Sequence, residues 1–172
     1  MPDTSATLIW RDLPLTPISA AAFAPFGTLI EITEDGVPFA PDTDAALVLN
    51  RGTPRFYVMN LHGKPLQFRH ITRHLEVTQC LASVGGAPWF IAVAPPHAPD
   101  DAAAHPDPDA IRAFRIEGNQ AIMLHRSTWH AGPYFLGPQQ AFFNLELADT
   151  NQVDHHTTRL DQVFGVAFRM VP

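Results

Sequence analysis

Apolar and polar positions alternate over short stretches along most of the chain, a pattern that predicts strands rather than long helices. From residue 46 onward it is nearly all β. Candidate strands are 46–49, 55–61, 66–71, 74–83, 89–94, 111–117, 120–125, 141–147 and 163–170. Turn signals separate them: His62-Gly63-Lys64-Pro65, Gly85-Gly86-Ala87-Pro88, Glu117-Gly118-Asn119 and Leu136-Gly137-Pro138. Many short strands at this spacing predict a barrel or sandwich. Before them, residues 1–13 read as a tail that becomes a strand around 8–10. Residues 17–27 predict a short helix, with Ser19 as N-cap and Pro25 and Gly27 as its stop. A strand follows at 28–32, then an acidic surface loop at 33–45. Residues 94–109, rich in Pro, Asp and Ala, predict a long mobile loop, either a lid over a cavity mouth or a plain surface loop.

The stretch from Gly118 to His130 breaks the alternation. Its apolar positions vary only loosely, which suggests a strand buried on both sides or one lining an enclosed cavity. It ends in His125, Arg126, Trp129 and His130, and a buried strand ending this way requires a polar task or a polar partner. Read as the two ends of a tight hairpin, His125 and His130 would turn both rings into one cavity. Residues 74–83, read as one strand, place His74, Glu76, Thr78 and Cys80 on one face. The bland alternative turns those polar residues outward and Leu75, Val77 and Leu81 inward. Three histidines and a carboxylate on two strand pairs would make either a divalent-metal site or a metal-free acid–base and anion-binding site.

Composition narrows the classes. A chain of 172 residues favours one domain over 1–172 and would bury ~70% of its unfolded surface. The net charge of −6 argues against a nucleic-acid partner. No apolar run is long enough for a bilayer, and the N-terminus lacks the basic-then-apolar pattern of a signal peptide, so no membrane role is expected. The single cysteine, Cys80, excludes an internal disulfide and suits a cytoplasmic setting. Nine histidines against eleven Lys and Arg is the compositional oddity.

Two loose motifs resemble a cupin barrel: His74-x-Glu76 with Gln79 and Gly86, and Gly118 through to His130. Closer is the resemblance to the ureidoglycolate lyase (ureidoglycolate hydrolase) family of allantoin breakdown. Arg73-His74-x-x-x-Thr78-Gln79 resembles the family's Arg-His-Pro-Leu-Gly-Thr/Ser-Gln. Ile111-Arg112-Ala113-Phe114, Gly118-x-Gln120 and His125-Arg126-x-x-Trp129-His130 resemble its most specific segment. Asn50-Arg51-Gly52 with Arg55-Phe56-Tyr57, Pro88–Pro95, and Phe143-x-Leu145-Glu146 through Asn151 and Asp154 resemble further family segments. The departures mark a divergent member. Leu75-Glu76-Val77 stands for Pro-Leu-Gly, Met123-Leu124 for Asn-Tyr, Ala131 for a second histidine and Glu146 for an aspartate, and His155-His156 follows Asp154 where the family usually has no such pair.

The resemblance implies a mostly β, cupin-like jelly-roll barrel with a short N-terminal helix and few peripheral helices. It implies cleavage of the C–N bond of ureidoglycolate to glyoxylate and urea, an amidine-lyase type of reaction. On that reading His74, His125, His130 and Gln79 are the catalytic candidates. Arg126 or Arg112 would anchor the substrate carboxylate, and Glu146 would orient a histidine, bind a metal or contact the substrate. Trp129 would be a core plug or a substrate platform. If a metal is present, nickel or zinc, its ligands would be His74, His125 and His130. The family also implies a homodimer, with Trp10, Trp89 or the Phe-rich strands as the apolar interface. Two other readings fit the same residues: a metal-dependent cupin enzyme acting on another small carboxylate, and a non-catalytic small-acid-binding cupin.

Overall fold

The computed structural model describes residues 7–172; the expected tail at 1–6 lies outside them. Its strands are β1 (Ile9–Pro17), β2 (Gly27–Ile30), β3 (Pro54–His62), β4 (Gln67–Phe68), β5 (His70–Arg73), β6 (Gln79–Ser83) and β7 (Trp89–Ala94). They continue with β8 (Arg112–Ile116), β9 (Ala121–Leu124), β10 (Trp129–Tyr134), β11 (Gln139–Leu147), β12 (His156–Arg159) and β13 (Val166–Val171). Three one-turn helices join them: α1 (Ala20–Phe23), α2 (Thr150–Val153) and α3 (Leu160–Val163). No helix among the described residues is long and apolar enough to cross a membrane.

The strands form two curled sheets, in the orders β12-β5-β10-β7-β8-β1-β13-β4 and β2-β9-β6-β11-β3. The architecture is mostly β with few short helices, as expected. Strand β7 explains how the sheets stack. Its residues are all buried, and its period of two divides them between two cores. Trp89, Ile91 and Val93 pack with Leu81, Ile122 and Phe142 of the smaller sheet. Phe90, Ala92 and Ala94 pack on the far side with Phe168, Leu160 and Trp129. A near-continuous apolar run is the expected signature of a strand covered on both faces.

The helix expected at 17–27 exists as α1, and Ser19 caps it by accepting from the Ala22 amide. Other expectations change. Residues 46–49 form no strand. The strand expected over 74–83 begins only at Gln79, because residues 74–78 form an irregular segment held by outside partners. His74, Glu76, Thr78 and Cys80 therefore share no strand face. Glu76 ion-pairs with Arg51 at the surface, and the Thr78 hydroxyl accepts from the Val48 amide. Residues 129–134 form the strand β10, where no strand was expected. The loop at 94–109 is strapped down. The buried Arg73 guanidinium donates to the carbonyls of His97, Ala98 and Asp101, and His105 bonds Thr158 at 3.0 Å.

Candidate active site

The strand β10 decides where the site lies. Trp129 and Ala131 belong to the far-side core, so by strand alternation His130 faces the space between the sheets. His74, one residue past the end of β5, meets it there: the ring centroids are 5.0 Å apart. His155, just ahead of β12, lies 5.7 Å from His74. Gln79 opens β6. Asn144 and Glu146, two apart on β11, share the inward face with Tyr57 of β3, whose register partner is Asn144. These groups line one cavity of about 180 Å³.

The histidines are oriented by carbonyls. His74 Nδ1 lies 2.6 Å from the Asp154 carbonyl oxygen. A carbonyl only accepts, so the hydrogen of the neutral ring sits on Nδ1 and Nε2 keeps its lone pair. His130 has the same arrangement with the Thr128 carbonyl at 3.3 Å. Burial lowers the pKa of His74 and outweighs the Asp154 carbonyl, which favours the charged ring. Burial first, and the neighbouring His74 second, push His130 down to about 3. Both rings are therefore neutral at neutral pH and present proton-accepting nitrogens.

Opposite them lies an amide and carboxylate network. Tyr57 donates to Glu146 Oε1 at 3.1 Å, and Asn144 Nδ2 donates to the Tyr57 oxygen at 3.1 Å. Gln79 Nε2 donates to Asn144 Oδ1 and Glu146 Oε2, both at 3.2 Å. Asn151 reaches Glu146 at 3.4 Å. Burial, then the Glu146 carboxylate, raise the pKa of Tyr57, keeping it a donor. Two acceptors facing Gln79 Nε2 orient the amide. Its Oε1 is buried with no partner among the described residues. A buried acceptor with no donor is costly in an isolated protein, and a bound N–H group would satisfy it.

The other sequence candidates go elsewhere. The expected hairpin does not exist: β9 pairs with β2 and β6, whereas β10 pairs with β5 and β7 in the other sheet. The turn between them, with Ser127 at a left-handed φ of 69°, hands the chain from one sheet to the other. His125 stays behind with its ring 3.3 Å from the Ala24 carbonyl, beside α1. Arg126 donates to the Leu75 carbonyl and supports the 74–78 segment. Arg112 is exposed and donates to the carbonyls of Asp109 and Ile111. Trp129 is 1% exposed beneath the Arg73 guanidinium, a core plug rather than a platform. His74, His130, Gln79 and Glu146 are brought together; His125, Arg126, Arg112 and Trp129 are not.

The same geometry bears on a metal. With His125 turned to α1, the triad His74, His125 and His130 does not converge. No group of three His, Cys, Asp or Glu side chains suited to holding a metal occurs among the described residues. The nickel or zinc site expected on that triad does not fit. Sequence reasoning also missed Tyr57, Lys64, Asn144, Asn151 and a pocket role for His155. Tyr57 and Asn144 sit on strands whose alternation marks the inward face. Lys64 carries a plainer signal, since it is the only lysine in the chain.

The depressed histidines make stability acid-sensitive. The unfolded chain takes up protons near the ordinary pKa of ~6.5, whereas folded His130 resists them down to about 3. Their stabilising balance is intact above pH ~6.5 and is lost as pH falls through that window. We expect a loss on the order of 1–2 kcal/mol between pH 7 and pH 5 after allowing for the partial exposure of His130. Guanidinium unfolding at the two pH values measures it. The variant His130→Asn should flatten the dependence, and an equal slope in that variant would refute the assignment.

A family model described as ureidoglycolate lyase matches residues 10–166. A ureidoglycolate lyase of Azotobacter vinelandii is 32% identical over 132 residues, covering 70% of this chain and 75% of the relative. One of Pseudomonas fluorescens is 28% identical over 172 residues, covering 88% and 95%. Among solved structures, a Bacillus subtilis oxalate decarboxylase studied for its Mn(II) centres aligns at 12% identity with a TM-score of 0.39, covering 64% of this chain and 25% of that one.

Proposed function

This chain belongs to the ureidoglycolate lyase family, and from that premise we propose that it cleaves ureidoglycolate to glyoxylate and urea, as a carbon–nitrogen lyase of the amidine-lyase type. The observation that carries the reading is the pair of neutral imidazoles, 5.0 Å apart, facing an amide and carboxylate network across one small cavity. The substrate carbon bears a hydroxyl, a carboxylate and a ureido nitrogen. Elimination transfers the hydroxyl proton to a base, closes the C=O, breaks the C–N bond and protonates the departing nitrogen. His74 Nε2 suits the first task, because the Asp154 carbonyl on Nδ1 supports the imidazolium that forms. Burial makes that imidazolium a stronger acid than a free one. It therefore gives the proton up readily to the ureido nitrogen, and one ring serves as base and then as acid.

The ureido group matches the opposite wall. Its N–H donors suit Gln79 Oε1 and the Glu146 carboxylate, and its carbonyl suits the Asn151 amide. Holding the ureido group and the histidines on opposite walls supplies the alignment that turns proton transfer into an intramolecular step.

We read 1–172 as one such domain, cytoplasmic in keeping with its single half-buried cysteine and homodimeric. Trp89 is fully buried and unavailable for an interface. The outer face of the edge strand β3 is the better candidate, with Phe56 stacked on Phe143 and Val58 beside them, all exposed. The function test is urea release from ureidoglycolate by purified protein, before and after treatment with a chelator. We expect release in both states; no release in either overturns the reading.

A further inference from the structure

The cavity handles the ureido end and the proton, but the histidines are neutral and both arginines expected to hold the carboxylate point elsewhere. One cation remains. Lys64 lines the cavity holding His74 and His130 and the adjoining cavity, also about 180 Å³, bounded by His70, Thr72 and His155. It is the only lysine in the chain; every other residue of the Lys and Arg total of 11 is arginine. Its ammonium lies 4.3 Å over the Tyr134 ring and ion-pairs with no carboxylate among the described residues.

The backbone fixes this placement. The Gly63 amide donates to the Pro138 carbonyl at 2.8 Å. The two turns approach so closely that a Cβ at Gly63 would fall 2.1 Å from the Gly137 oxygen, so only glycine permits the contact. Pro65 stiffens the exit from the turn, and the Gln67 amide closes it onto the Pro65 carbonyl at 2.7 Å. Lys64 is exposed at the mouth of the cavity, and these contacts fix the backbone from which its side chain springs.

We propose that Lys64 is the carboxylate anchor of the active site, and that the site is specific for small acids whose carboxylate reaches the mouth of the cavity while the rest of the molecule lies between the histidines and Gln79. This deepens the lyase reading and rests on it. An ammonium meets a carboxylate as a point charge with three donors, without demanding a planar two-pronged approach. Partial burial of Lys64 lowers its pKa, so an arriving carboxylate strengthens the charge it binds.

The two products separate the two ends of the site. Glyoxylate carries the carboxylate and urea does not. In Lys64→Met, the KM for ureidoglycolate and the inhibition constant of glyoxylate should each rise about 10- to 100-fold. The inhibition constant of urea should stay within about twofold, and kcat should change far less than KM. Lys64→Arg should recover part of the glyoxylate affinity. Unchanged glyoxylate inhibition, or equal weakening of both products, overturns the proposal. If the unaltered protein releases no urea, the lyase reading fails. Calorimetric titration of glyoxylate into the parent protein and Lys64→Met still decides the anchor: tighter binding by the parent supports it, and equal or absent binding rejects it.

Discussion

Replacing His74 with asparagine should lower kcat for ureidoglycolate cleavage about 10²- to 10⁴-fold, the usual contribution of a positioned proton-transfer group, while the fold survives. Asparagine is chosen because its amide can keep the donor to the Asp154 carbonyl that His74 Nδ1 now supplies. The substitution then removes the Nε2 lone pair without leaving that buried carbonyl unpaired. Because the lost interaction acts in the transition state, kcat and kcat/KM should fall together. His130→Asn should cost less, since His130 lines the cavity without carrying the transferred proton. Near-parent kcat in His74→Asn would remove this residue as the proton carrier.

Asp154→Ala should destabilise the protein by about 3 kcal/mol and reduce activity as well. The carboxylate is buried and accepts from the amides of Leu75 at 2.7 Å and Glu76 at 2.8 Å, while its other neighbour, the His156 ring, lies 3.2 Å away. Hydrogen bonds to a charged group contribute roughly 1.5–3 kcal/mol each, and an amide left unpaired in the interior adds its desolvation cost. The segment it clamps is the irregular stretch 74–78, where the His74 carbonyl accepts from the Ser127 amide rather than from a strand neighbour. Loosening the clamp displaces the imidazole, so kcat should fall alongside stability. Asp154→Asn, which keeps one acceptor oxygen, should fall between. Guanidinium unfolding and steady-state kinetics on the three proteins test this; a stability change below about 0.5 kcal/mol would show that the clamp is dispensable.

How much of this was legible beforehand differs between fold and site. The apolar run of β7 and the alternation of β3 and β11 come from local burial, which leaves its period in the sequence. The N-cap at Ser19 and the glycine turns are equally local. His74, His130, Gln79 and Glu146 were recognisable by resemblance, and the structure brings them to one cavity. His125 fails because proximity along the chain was taken for proximity in space. Residues on either side of a short turn meet only if their strands pair, and β9 and β10 join different sheets. Arg126 and Arg112 fail for a related reason: charge type names a chemistry, whereas direction depends on which carbonyls lie within reach.

By itself, the amino-acid sequence determined the class of fold, the family and the kinds of side chain at the centre, because each of these rests on local patterning or on motifs read in order. Tertiary structure alone decided which histidines face one another, that Asp154 sets the tautomer of His74, and that a lysine in a turn reaches the cavity. Those contacts join residues some 80 positions apart in the case of His74 and Asp154. They depend on how two sheets curl against each other and on which buried polar group must find a partner, a balance summed over the whole packed chain and written in no single stretch of it.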